Sequence, residues 1–186
     1  VFIPNFVDEG MLIEHKIVSP EITRICFVGR VSEAKGAQEI FEVAKKFPEI
    51  QFRLVGEISV EVQSWAKPSN VELLGILPHD KVMNVLDESD LFLFPSHTEG
   101  FSLALAESMA RGVPAIATDV GANSNMIETY GGVIVNVGDT DAMIGAVAKM
   151  QDSLLRQEMS NWCIDKVREN YTANQVLSTI TQLYEK

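Results

Sequence analysis

The chain has 186 residues, 46% hydrophobic and 22% charged, an ordinary globular composition with enough length for one domain and a sizeable core. Lys and Arg number 15 against 26 Asp and Glu, a net charge of −11. That balance argues against a nucleic-acid partner and against direct contact with an anionic membrane, since both need a basic footprint.

No apolar run approaches the ~20 residues that span a bilayer. The opening VFIPNFVDEG lacks the basic and apolar regions of a secretory signal. Its first residue is Val1 rather than Met, as expected of a fragment or a processed chain.

In chain order, RICFV (24–28), QFRLV (51–55), VELL (71–74), LFLF (91–94), PAIAT (114–118) and GVIVN (132–136) read as strands. They are short, rich in β-branched and aromatic residues, and continuous rather than alternating. Such runs suit strands buried on both faces of a parallel sheet. Between them lie helical stripes. Ile40, Val43, Ala44 and Phe47 form one, Val82, Val85 and Leu86 a second with Asp80 as N-cap, and Ala142, Ala146 and Met150 a third. Strict β/α alternation predicts an α/β fold with a doubly wound, mainly parallel, six-stranded Rossmann-like sheet. A closed barrel would need eight strands.

After about residue 150 the strands stop. Leu155, Met159, Trp162 and Cys163 share one helical face. A last helix starts at TANQ, where Thr172 and Gln175 have capping-box spacing, and its face is Ala173, Val176, Leu177, Ile180, Leu183 and Tyr184. The division is a segment at 1–20, a sheet domain at 21–150 and a helical tail at 151–186. Cys26 and Cys163 read as buried thiols of a reducing compartment rather than a disulfide. The three His and two Cys show no metal-ligand spacing, and no cofactor is expected.

Ligands of such sheets bind beyond the carboxyl ends of the strands. The first strand is followed by GRVSEAKG. Gly29 lets the chain turn, and Arg30 and Lys35 flank the start of a helix, whose N–H groups and dipole favour an anion. Two readings stay open here: a phosphate site, or two solvated surface cations. The segment is not a dinucleotide fingerprint, because no G-x-x-G follows Gly29.

The fourth strand is followed by PSHTEGF. Ser102 is a predicted N-cap for a helix over Leu103 to Arg111, and the backbone N–H groups of Phe101, Ser102 and Leu103 suit an anion. Glu99 precedes this helix and Glu107 lies inside it. Were the stretch all helical, the two acids would be ~12 Å apart, beyond the ~5–9.5 Å of glycosidase acid pairs. They read better as two acceptors gripping different hydroxyls of one elongated ligand. The plainer alternative is two acids drawn to a helix start by its dipole.

These segments resemble the C-terminal, donor-binding domain of the GT-B glycosyltransferases of family 4, the glycosyl transferases group 1. IPNFVD is similar to the family's interdomain IPNGVD. FVGRVSEAKG resembles its GR…KG phosphate segment, and RLVGE its second strand and turn. EGFSLALAE has the E-x7-E spacing, followed by SMARGVPAIATDVG, and GVIVNVGDTDAM resembles the closing G…V…GD…AL.

The resemblance implies a retaining transfer of sugar from a UDP- or GDP-linked donor, in cell-surface glycan synthesis. It implies that Arg30 and Lys35 hold the diphosphate, with Gly29 and Gly100 in the turns beside it. Phe101, Ser102 and Leu103 would present backbone to the phosphates. Glu99 would hold the transferred sugar and Glu107 the ribose, with the base near Ile76 and Leu77. The catalytic assignments are Glu99, Arg30 and Lys35, with no metal. The acceptor-binding half of such enzymes precedes IPN, so this chain alone is expected to transfer nothing. The family works in the cytoplasm, docked on the inner leaflet through that other half. The apolar stripe of the tail is expected to meet the missing half or a second copy of the chain.

Two departures stand out. The family's Gly-Gly-x-Pro-Glu reads GANSN here, with Ala122 for the second Gly and Asn125 for the Glu, and Phe6 stands where Gly is common. A nucleotide-sugar epimerase or hydrolase would need a further carboxylate at the sugar. A non-catalytic binding module is the remaining alternative.

Overall fold

The computed structural model describes residues 4–184, the side chain of Tyr184 excepted. Ile3 of the IPNFVD segment and the Tyr184 side chain lie outside the described residues. Six strands form one sheet: β1 (Arg24–Val28), β2 (Gln51–Val55), β3 (Val71–Gly75), β4 (Leu91–Phe94), β5 (Ala115–Thr118) and β6 (Gly132–Val135). All neighbours pair in parallel, in the order β3-β2-β1-β4-β5-β6. Every residue of β4 and β5 is buried, as their unbroken apolar sequences require of strands covered on both faces.

The connections are α1 (Ala37–Lys46), α2 (Val60–Gln63), α3 (His79–Asp87), α4 (Leu103–Ala110), α5 (Asn123–Ile127) and α6 (Thr140–Lys149). Ile40, Val43 and Ala44 turn inward from α1, and Val82, Val85 and Leu86 from α3. Phe47 lies one residue past α1 and packs against the core from there. Asp80 is not the cap expected of it. Pro78 is, with ψ 149 and its carbonyl accepting from Lys81 and Val82. The pyrrolidine fixes φ and cannot donate, so the chain turns into the helix two residues earlier. Asp80 instead sits in the first turn, where a carboxylate meets the positive end of the dipole.

The tail is α7 (Ser153–Asn170) and α8 (Ala173–Tyr184). Met159 and Cys163 are buried on α7, joined by Ser160, Ile164 and Val167, and this face packs on α4. On α8, Val176 is buried, while Leu177 is 56% and Leu183 36% exposed. Ala173 and Ile180 are half-buried, so only part of the predicted stripe faces outward.

Residues 8–20 lie along the domain and are fastened by long side chains. Lys16 Nζ donates to the carbonyls of Leu86 and Ser89. Burial lowers its pKa from the ordinary lysine value. Gln157 bonds both the Lys16 carbonyl and the Val18 amide. Arg111 grips Asp87 with two bonds of 2.6 Å and reaches the Met11 carbonyl. Arg156 is wholly buried and donates to the carbonyls of Met150, Ser19 and Pro20.

A buried guanidinium bonded to carbonyls is a costly group retained for what it holds. Arg156→Met keeps most of the volume but leaves those carbonyls without their donor. It is expected to lower unfolding stability by about 2 kcal/mol, read from the urea midpoint at unchanged m-value.

Cys26 and Cys163 are unpaired and buried. Burial pushes the Cys26 thiol up to about 11 and the Cys163 thiol higher still. The thiolate is the reactive form and is scarce well below such values. At pH 8 neither is expected to react with a soluble disulfide reagent until denaturant is added, measured by thiolate release.

Candidate functional site

In this sheet the chain reverses its winding direction between β1 and β4, which pair side by side. The loops leaving their carboxyl ends are therefore neighbours, the usual place for a ligand crevice. From β1 comes Gly29, then Arg30, a single 3-10 turn at Glu33–Lys35, and Gly36 opening α1. From β4 comes Pro95 to Phe101, then Ser102 and α4.

The two loops fit closely. Gly36 has φ 75, and a Cβ there would fall 2.3 Å from the Pro95 carbonyl oxygen. No other residue type combines that conformation with that approach. Lys35 Nζ donates to Glu99 Oε1 at 2.6 Å and to the Thr98 carbonyl at 3.1 Å. Their side chains are 28% and 12% exposed, so this is a partly desolvated pair rather than a surface one.

Beside the pair opens a pocket of about 230 Å³ whose lining includes Asn5, Gly29, Lys35, Glu99, Phe101, Ser102 and Leu103. Full small-molecule sites usually run ~300–1,000 Å³. This one has room for a diphosphate-sized group, and its open mouth leaves the rest of a longer ligand to lie on the surrounding surface. Ser102 caps α4 as expected, its hydroxyl accepting from the Leu105 amide at 3.2 Å. The earlier first-turn amides of a helix have no carbonyl within it to bond.

The other predicted residues lie around this pocket rather than in it. Arg30 is exposed, its guanidinium 3.8 Å from Glu57. Glu107 points from α4 toward the start of α3, with His79 Nε2 3.3 Å from its Oε1. Ile76 is 78% exposed, and Leu77 packs partly against the core. Gly100 contributes its carbonyl, which accepts from the Ala122 amide at 2.8 Å.

That last bond explains part of GANSN. Gly121 has φ 55, and a Cβ would lie 2.5 Å from the carbonyl oxygens of both Glu99 and Gly100. The first glycine of the pattern is thus the one that must stay. Ala122 is buried in the core, and Asn125 is exposed.

Sequence reasoning missed a second contact between the two loops. His97 donates its amide to the Ala34 carbonyl at 3.0 Å, and its Nε2 lies 2.7 Å from Glu39 Oε1 on α1. Glu39 occupies the first turn of α1 and is buried. A carboxylate inside an amphipathic helix's buried face was the available signal. His79, one residue after Pro78, was also passed over. Among the described residues no three His, Cys, Asp or Glu gather as metal ligands.

Chemically, the pocket joins an ammonium and a helix start, which suit an anion, to a carboxylate, which suits hydroxyl donors.

The chain spans about half the length, or less, of the relatives it matches. It is 26% identical to N-acetyl-alpha-D-glucosaminyl L-malate synthase of Bacillus anthracis, covering 97% of this chain and 52% of that protein. It is 28% identical to UDP-Gal:alpha-D-GlcNAc-diphosphoundecaprenol alpha-1,3-galactosyltransferase of Escherichia coli, covering 55% of this chain and 27% of that one. In fold it resembles sucrose-phosphate synthase of Thermosynechococcus elongatus, with a TM-score of 0.84 at 20% identity over 98% of this chain and 51% of that one. It also resembles Anabaena HepE, solved with UDP and glucose, with a TM-score of 0.78 at 16% identity over 89% of this chain and 48% of that one. The family model "Glycosyl transferases group 1" matches residues 15–169, and with most of its length so matched, the chain belongs to that family.

Proposed function

We propose that the chain is the nucleotide-sugar-binding half of a retaining glycosyltransferase of cell-surface glycan synthesis. The observation that carries this reading is the meeting of Lys35 and Glu99 at 2.6 Å on the rim of a pocket bordered by the start of α4. One ligand that is a diphosphate at one end and a polyol at the other would use all three.

In this reading Lys35 and the first turn of α4 hold the diphosphate, and Arg30 swings from Glu57 to join them. Glu99 accepts from hydroxyls of the transferred sugar. Glu107 accepts from the ribose, and the base lies against the chain at Ile76 and Leu77. The bond broken is that between the anomeric carbon and the diphosphate oxygen. Fixed donors aimed at that oxygen stabilise the charge that develops on it without reorganising, as electrostatic catalysis requires. The departing oxygen takes the acceptor's proton, the acceptor oxygen bonds the same face of the anomeric carbon, and configuration is retained. The acceptor is held by the other half of the full-length enzyme, so this chain binds donor and transfers nothing alone.

UDP is the first nucleotide to test, given the UDP-Gal donor of the E. coli relative and the UDP in the HepE structure, with GDP second. Isothermal titration of the chain with UDP, GDP and their sugars is expected to show binding. Lys35→Ala should weaken it roughly 10- to 100-fold, the loss of a charge-assisted bond, and Arg30→Ala by less, because that side chain is more exposed. Unchanged affinity in both variants would remove the phosphate assignment, and absence of any nucleotide binding would remove the reading.

A further inference from the structure

We infer that Glu39 and His97 are positioning residues that hold the two donor loops in register while the ligand occupies Lys35. This rests on the donor-site reading above and extends it to a pair that contacts no donor group there.

Two side-chain ties cross between the loops. One runs from Lys35 to Glu99 and to the Thr98 carbonyl. The other runs from Glu39 to His97. They behave differently when a donor arrives. A diphosphate draws the Lys35 ammonium onto its own oxygens, and the sugar hydroxyls compete for Glu99. The first tie is thereby spent at the moment when the spacing of the loops matters most. The second is untouched, because Glu39 and His97 do not line the pocket.

The placement of the second tie suits this task. Glu39 sits in the first turn of α1, four residues after Lys35, which ends the 3-10 turn just before Gly36. His97 stands two residues before Glu99 on the facing loop. Its amide bond to the Ala34 carbonyl, at 3.0 Å, anchors the same residue beside Lys35. The Glu39 side chain is only 12% exposed. A carboxylate so placed is costly unless bonded, and His97 supplies the side-chain bond at 2.7 Å.

The expectation is a coupling, which a mere fold staple would not show. The test titrates UDP and GDP into the chain carrying Glu39→Ala or His97→Ala, each in the native and the Lys35→Ala background. In the native background each change should weaken nucleoside diphosphate binding about tenfold, and in the Lys35→Ala background less than about twofold, since the register then has no ammonium to aim. Glu39→Gln keeps an oxygen that accepts from the imidazole and should restore binding to within about threefold. Equal losses in both backgrounds, or no loss in a folded protein, would overturn the inference. Should His97→Ala fail to fold by circular dichroism, His97→Gln carries the same cycle. If the unaltered chain binds neither nucleotide, the donor reading falls and this role with it. If it binds and the variants match it, only this role falls.

Discussion

The parallel pairing of β1 with β4 is the constraint on which the site depends. It is where the sheet changes its winding direction, so the connections leaving β1 and β4 run to opposite faces of the sheet and open a crevice between their loops. Residues separated by 64 positions, Lys35 and Glu99, then stand in contact. Nothing local to either segment could produce that contact. It follows from which strands are neighbours, and that follows from the burial of LFLF and PAIAT at the middle of the sheet. Core composition thus sets function here through topology.

The loops are fitted by backbone contact first and by charge second. At Gly36 and at Gly121 there is no space for a side chain against the facing carbonyls. Pro95 to Gly100 is therefore wedged between the turn after β1 and the turn after β5. The Thr118 hydroxyl, bonded to the Ser96 carbonyl, and the Ala122 amide, bonded to Gly100, close the second side. The backbone fit sets the path of this loop, and the ties from Lys35 and Glu39 set its register against the start of α1. In the proposed reading Glu99 is thereby held at one height above the sheet, a preorganisation suited to electrostatic catalysis.

The strands were legible because two-sided burial writes itself as an unbroken apolar run. Three were read to the residue, RICFV, QFRLV and LFLF, and the others to within one position. The Ser102 cap was legible from capping preference ahead of an apolar helix, whereas Lys35 and Glu99 were candidates only for following strand ends, and their contact could not be read. Asp80 misled because capping preference was read without the proline two residues before it. The ties made by Lys16, Arg111, Arg156 and Gln157 were not legible at all. Each joins a long side chain to a distant carbonyl or carboxylate, and such bonds have no period and no spacing rule. Glu39 with His97, 58 positions apart, escaped for the same reason, although the odd carboxylate on a buried helix face was in view.

The charge balance sharpens what the site must do. A chain of net charge −11 repels a diphosphate at long range, and both cations assigned to that ligand already face carboxylates, Arg30 toward Glu57 and Lys35 toward Glu99. The distant part of this repulsion is weak in practice, since salt screens exposed charges beyond ~8–10 Å. The near part is not, because the Lys35–Glu99 pair is largely out of water and screened much less. A bare diphosphate must part that pair and leave Glu99 without its cation. A diphosphate carrying a sugar parts it too, yet offers hydroxyls in exchange. In the proposed reading the local geometry therefore favours the sugar-bearing ligand over the free nucleotide, through one ion pair rather than through the field of the whole molecule.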